Sequence, residues 1–489
     1  MKSEYFQRWC KFFPGLKPLL QWTQRSVRAE ARTPPAKAGG FILHGRCTIL
    51  HSHRILHRIR IPHSICKFAL ILYLAALCTL TNGIFAEAQA MSGMAAMPTP
   101  LTQLVEEAVA NNPQIAAAGH AWKASTHMAQ QVTTLPDPVF TVQPFSVGSP
   151  KPFAGFSNSD FAYIGFGASQ DIPYPGKLRL KGEAANRDAE TQHAQMDAVS
   201  SGIAEQVKLL YLQMAYHDAT LAILQENDAV LTPMIQSVLS RYSVGQGSQA
   251  EVIRSQLEHT KLLREMTMHH QEMDQEQTEM KQLLHRPQSS PDIVPERLTA
   301  SPLRFTADEL QELIAEHNPM IHVDTQMVRK QEADLKSAQQ ERKPDFTAAY
   351  EYQKTGSDYR DYYMMTLSMR LPRRKRVDAE VAQATEMLNK SKRDLDAQAQ
   401  QQMADVQKNY VAATSTTELL KEYNEGLLPQ GRAAFNLEQS AYQSDKQQFA
   451  PVLASLLDLL NMEHDYHQTL LDHETALVHL ETLTGAAIR

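Results

Sequence analysis

Residues 104–115 read LVEEAVANNPQI and residues 310–321 read LQELIAEHNPMI. Leu104, Asn112-Pro113 and Ile115 in the first copy match Leu310, Asn318-Pro319 and Ile321 in the second at an offset of 206 residues. The first copy runs on to Pro136-Asp137-Pro138. The second carries two more residues before Pro344-Asp345-Phe346. Each copy reads as an amphipathic helix, over about 101–135 and 307–342, that stops at Pro-Asp and hands over to a strand. A unit of roughly 200 residues has been duplicated, so any function must arise from two quasi-equivalent halves.

Working outward, the period changes from helical to alternating after each Pro-Asp. Phe140 and Val142 alternate with Thr141 and Gln143, and Ile164, Phe166 and Ala168 alternate with Gly165, Gly167 and Ser169. Residues 137–173 therefore predict a hairpin of two strands near ten residues each. Residues 345–372 predict a second, in which Phe346, Ala348, Tyr350 and Tyr352 face one way. Across from them Tyr363, Met365, Leu367, Met369 and Leu371 alternate with Tyr362, Met364, Thr366, Ser368 and Arg370.

A long polar helix follows each hairpin. Ile203, Val207, Leu210, Met214, Leu221, Leu224 and Leu231 fall at heptad spacing, with His217 and Asp228 on the same seam. Pro233 is read as a junction. A second long helix runs to about Leu284, interrupted at Tyr242-Ser-Val-Gly-Gln-Gly247, with seam residues Leu262, Met266, His269, Met273, Glu276, Met280 and Leu283. In the second half Met403, Val406, Tyr410, Ala413, Thr417, Leu420 and Leu427 continue the pattern, Pro429 is the junction, and the last helix runs to about Gly485. The domain plan is thus 1–90 leader, 91–285 first repeat, 286–306 a Pro-rich linker, and 307–489 second repeat.

The first 67 residues hold 13 Lys/Arg against 2 acids, and an uncharged 13-residue run follows at 68–80, then Ala86, Ala88 and Ala90. This is the pattern of a secretory signal peptide, with an N-terminal anchor as the alternative; the run is short of the ~20 residues of a spanning helix. The leader is long, and residues 1–60 are a candidate upstream extension of the reading frame. All four cysteines precede residue 80, so a mature chain has neither disulfides nor thiolate metal sites. Cys78 follows Leu77, a poor match to a lipidation signal. Removing the 13 basic and 2 acidic residues of 1–67, and Glu87, leaves 35 basic and 51 acidic residues, a net charge near −16. A nucleic-acid partner calls for the opposite sign.

Strands of about ten residues match the 9–11 that cross a bilayer as β-structure. Four strands cannot close a barrel, and an open edge cannot face lipid. If the strands lie in a membrane, chains must pool them, and three chains give twelve, an even antiparallel count. The plainer alternative is a soluble coiled-coil scaffold with two β-hairpin tips.

The order Asn-Pro, Pro-Asp-Pro, Ile172-Pro-Tyr-Pro-Gly-Lys177, Arg241-Tyr-Ser-Val-Gly-Gln-Gly247, Asn-Pro, Pro-Asp-Phe resembles the TolC-like outer-membrane efflux proteins, most of all their heavy-metal branch, over about 101–485. The resemblance implies a mainly helical homotrimer, with duplicated long-helix and hairpin units forming a periplasmic α-helical barrel topped by a shared 12-stranded β-barrel in outer-membrane lipid. It implies a periplasmic adaptor (membrane fusion) protein and an inner-membrane pump of the resistance-nodulation-division (RND) class as partners, and no cofactor. Drug efflux and type I protein secretion are uses of the same fold.

The family's aperture acids follow the Tyr-Gly turn of the second repeat. Here those positions hold Pro451 and Ala454, the Gly position holds Asp445, and Glu251 and Asp458 are the remaining gate candidates against a reading as solvated helix-face acids. Met266, His269, His270 and Met273 are candidate soft-metal ligands, although seam packing explains Met266, Met273 and Met280 equally. Met91, Met94 and Met97 offer a copper-catching lead or a plain tail. His464, His467, His473 and His479 read as seam or surface. Tyr359, Tyr362 and Tyr363 suit an interfacial aromatic belt. The phosphate-loop, nucleophile-elbow and zinc-protease motifs are missing, which argues against an enzyme.

Overall fold

The computed structural model describes residues 98–152, 154, 161–356, 360–444 and 446–488. The leader, its cysteines, Met91, Met94 and Met97 lie outside them, as do Tyr359 and Asp445.

The two repeats have one element order. The first comprises α1 (Leu101–Asn111), α2 (Pro113–Thr133), β1 (Val139–Phe145), β2 (Tyr163–Ile172), α3 (Lys177–Ser243) and α4 (Gln249–Leu283). The second comprises α5 (Ala307–His317), α6 (Pro319–Gln340), β3 (Asp345–Lys354), β4 (Tyr362–Arg370) and α7 (Arg374–Glu422). A π-helical turn (Tyr423–Leu427), α8 (Leu428–Gln443) and α9 (Phe449–Thr484) complete it.

The opening helix of each repeat, expected to be continuous, is broken at Asn-Pro. Pro113 and Pro319 have no N–H to donate and start a new helix well. Asn112 and Asn318 turn extended and cap it, Asn112 Oδ1 accepting Gln114 N–H at 2.8 Å and Asn318 Oδ1 accepting Met320 and Ile321 N–H at 3.0 and 2.9 Å. Each asparagine also fastens the far end of its own repeat. Asn112 Nδ2 donates to Leu283 O at 2.9 Å and Asn318 Nδ2 to Leu483 O at 2.8 Å.

Pro233 does not end a helix. It lies inside α3, a single run of 67 residues, roughly 100 Å long at 1.5 Å per residue. The true reversal is at residues 244–248, where Gly245 takes φ +76° and Gln246 N–H closes onto Arg241 O at 2.9 Å. The expected interruption is therefore a hairpin turn, and α4 runs back along α3. Pro429 is likewise inside a continuous helical path, and the π turn beside it absorbs the missing N–H. That inserted residue shifts the phase of the seam. Leu427 is exposed for this reason, and Met403 is exposed because the neighbouring Gln402 takes the inward position, bonded to Asn318 at 3.0 Å.

Thr417 of the expected seam is exposed too, its hydroxyl donating to Ala413 O of its own helix at 2.7 Å, and Tyr410 is half-buried. Most of the other positions pack as their spacing predicts. Ile203, Val207, Leu210, Met214, Leu221, Leu224 and Leu231 of α3 are all buried, as are Val406, Ala413 and Leu420 of α7. Burying a side chain such as Met214 or Leu231 contributes about 1.5–3 kcal/mol. The equivalent clusters around Leu104, Ala108, Val207 and Met280, and around Leu310, Ile314, Val406 and Leu480, repeat the same joint twice. The linker is tied down too: Ile293 is buried, and Tyr211 Oη donates to Thr99 O at 2.9 Å while accepting Glu296 N–H at 2.7 Å.

The two hairpins join in one antiparallel sheet in the order β1-β2-β3-β4. Strands β2 and β3 pair across the repeats, Phe166 opposite Tyr352 and Ala168 opposite Tyr350. Three strands have 9 or 10 residues, but β1 has only 7. Pro138 delays its start and its pairing ends at Phe145 opposite Tyr163.

Candidate functional site

Side chains alternate across a strand, so the register sorts the sheet into two faces. On one lie Phe140, Val142, Phe166, Tyr350, Met365, Leu367 and Met369, all exposed, Met365 at 85%, Phe140 at 78% and Leu367 at 74%. On the other lie Thr141, Gln143, Gly165, Gly167, Glu351, Gln353, Thr366 and Ser368. An apolar face of this extent, left uncovered by the helices of its own chain, needs an apolar surrounding. Strands β1 and β4 each pair on one side alone, leaving two open edges.

Tyr363 belongs to the apolar face, its ring 5.3 Å from that of Tyr352. Tyr362 is exposed on the polar face, so the structure places these two expected belt residues on opposite sides.

The joint between sheet and helices is built on a buried lysine. The Pro-Tyr-Pro-Gly segment delivers Lys177, 3% exposed, to Glu341 at 3.0 Å and Asp345 at 2.9 Å. Asp345 also accepts Tyr174 N–H at 3.0 Å. The Pro-Asp motif of the second repeat thus clasps the end of the first hairpin. Burial raises the Glu341 carboxyl, but Lys177 and Lys181 outweigh it and hold the group below its ordinary value.

Gate candidate Glu251 stands at the α3–α4 tip. It completes a capping box, its carboxylate accepting Ser248 N–H at 3.1 Å and its own N–H reaching Ser248 Oγ at 3.2 Å. Asp458 is exposed on α9, about 14 Å along the helix from its start. Their sequence neighbours Val252 and Leu459 belong to one cluster, which joins Val238 and Val252 to Phe435, Tyr442, Phe449 and Leu456. Arg241 binds the tips together, its guanidinium 4.5 Å over the Tyr442 ring and donating to Tyr442 O at 3.3 Å.

Among the candidate metal ligands, Met266 and Met273 are half-buried, Met273 against the core around Met280, and His270 is exposed. His269 instead meets a partner from the facing helix, His217, Nδ1 to Nδ1 at 2.8 Å. Burial and then the His217 imidazole hold His269 below its ordinary pKa, against the opposing pull of Glu272. Among the late histidines, His473 is buried and its Nε2 lies 2.9 Å from Ser301 O. His479 Nδ1 lies 2.7 Å from Glu205. Burial lowers His467.

No helix among the described residues is long and apolar enough to cross a membrane. Residues 104–284 match the family model of the outer membrane efflux proteins. No curated protein matches the chain in sequence. Among solved structures, the outer membrane protein VceC of Vibrio cholerae is similar with a TM-score of 0.67 and 16% identity, over 80% of this chain and 97% of that one. CusC, whose structures concern transmembrane channel formation, gives 0.66 and 14%, over 80% and 93%. The open MtrE outer membrane channel of Neisseria gonorrhoeae gives 0.66 and 15%, over 80% and 89%.

Proposed function

We propose that the chain, whose residues 104–284 match the family model of the outer membrane efflux proteins, is a member of that family and the exit duct of a tripartite efflux system. The observation that carries this reading is the four-stranded sheet with one uncovered apolar face and two open edges. Backbone groups left unpaired in lipid cost several kcal/mol each, so the edges must be closed by other chains. Three copies close them with twelve strands, β4 of one copy against β1 of the next. β2 and β3, of ten residues each, rise about 33 Å, enough for an apolar band ~25 Å tall when tilted, whereas the seven residues of β1 rise about 23 Å and cover only part of it.

The long helices of the three copies then form a tube in the periplasm. Its tips, where Glu251 and Asp458 lie, meet the periplasmic adaptor and through it an RND-type pump. Glu251 caps a helix as well as offering charge to the aperture. Asp458 is the freer ring-former. In this reading Tyr363 anchors the barrel at the lipid boundary, supported by its exposure on the apolar face. The duct performs no chemistry; it conducts.

Metal cations are the proposed cargo, on the sequence resemblance to the heavy-metal branch. The fold gives no preference, because CusC is no more similar than VceC or MtrE. A soluble coiled-coil scaffold is disfavoured by the apolar sheet face. Deleting the gene and testing growth on Cu, Ag, Co, Zn, Cd and organic toxicants checks the cargo. Sensitivity to metals alone is the expected result, and sensitivity to organic compounds alone overturns the cation reading.

A further inference from the structure

At two levels the seam between α3 and α4 sets histidines against carboxylates. At one, His259 Nε2 lies 2.9 Å from Asp228, a complete pair. At the other the polar groups do not balance. His217 and His269 face each other Nδ1 to Nδ1 at 2.8 Å. Glu272 Oε2 lies 3.5 Å from His217 Nδ1 and 3.4 Å from His269 Nδ1. Glu276 Oε1 takes His217 Nε2 at 3.2 Å, while its second oxygen is buried with no hydrogen-bond partner. Among the described residues no Lys or Arg pairs with either glutamate. Two carboxylates are thus set against two imidazoles, whose inner nitrogens point at one spot.

We infer that His217, His269 and Glu272 form a binding site for one borderline divalent cation, zinc or copper(II), that staples α3 to α4. Two imidazole nitrogens and one carboxylate oxygen, all within 4.8 Å of one another, are the donor set such ions prefer. Glu276 supplies what a ligating histidine needs behind it, an acceptor for its other N–H. That bond fixes the proton on His217 Nε2 and leaves Nδ1 free to bind. A tetrahedral ion with bonds near 2.0–2.1 Å holds two nitrogens about 3.3 Å apart, so the rings must part by about half an ångström. Both helices can allow this, since His217 and His269 are 13% and 15% exposed and Glu272 opens to solvent at 45%. Solvent supplies the remaining ligand. The site depends on these two helices alone and holds whatever the cargo.

The test uses the full-length protein extracted in detergent and freed of metal. Zinc is titrated by calorimetry, and cobalt(II) is added to read its visible ligand-field bands. The expected result is one ion per chain, tetrahedral cobalt bands, and a melting temperature raised by zinc. His217→Ala and His269→Ala lower the affinity by at least tenfold. Glu272→Gln, which keeps shape and hydrogen bonding, does so while melting like wild type in the absence of metal. His270→Ala, one residue away and exposed, binds as wild type does. Absence of stoichiometric binding in the wild type overturns the inference, and so does undiminished affinity in both Glu272→Gln and a folded His217→Ala.

Discussion

At the scale of single residues, the two asparagines of the Asn-Pro motifs hold the repeats together. Asn318 is 3% exposed, and its amide caps α6, meets Gln402 and reaches Leu483 O. Asn318→Ala leaves backbone groups of α6 and α9 without partners, at about 1–3 kcal/mol. Its melting temperature in detergent is expected to fall, whereas Asn318→Asp keeps the cap and loses only the donated bonds, so it falls less. A second residue pair makes an acid-sensitive contribution. Arg286 grips Glu107 through both oxygens at 2.6 and 2.5 Å. This hydrogen bonding, more than burial opposes, holds the Glu107 carboxyl below its ordinary value. The pair therefore contributes stability above the unfolded carboxylate value of about 4.3 and loses it as pH falls through the lower folded value. Glu107→Gln should reduce stability at neutral pH and flatten the decline between neutral pH and about pH 3, read by thermal melts across that range.

At the scale of elements, the sheet makes the sharpest claim. Leu367 and Thr366 are neighbours on β4 that face opposite ways. In the proposed barrel Leu367→Arg puts a charge on the lipid face at about 2–4 kcal/mol near the bilayer midplane, whereas Thr366→Arg turns into the lumen. Only the first should reduce the amount of assembled protein in outer-membrane fractions; equal loss from both would refute the assignment of faces. These faces were legible from alternation alone, as was the α3 seam from heptad spacing. The helix breaks were not, because Asn112 and Asn318 act through contacts with Leu283 and Leu483, residues 171 and 165 positions away. The His217–His269 meeting was hidden for a related reason. It exists only if the chain reverses at Gly245, and residues 242–247 look in sequence like a mere interruption. The available signal was symmetry about residues 243–244, at the start of that turn, on which both the pair His217 and His269 and the pair Asp228 and His259 are centred.

At the scale of the whole molecule, one duplicated chain in the proposed assembly builds a third of a closed object. Its helices satisfy their own backbone and bury their own seam, but its sheet does neither at its edges. The Lys177 clasp on Glu341 and Asp345 fixes how sheet and helices join, so three copies that pair their strands must also line up their helices. The most direct measurement is the protein mass of the detergent-extracted, leader-processed particle, by native mass spectrometry or light scattering. Three chains per particle, recovered from the outer membrane and separated by heat, is the predicted result. A single chain that stays dispersed in water without detergent would contradict it.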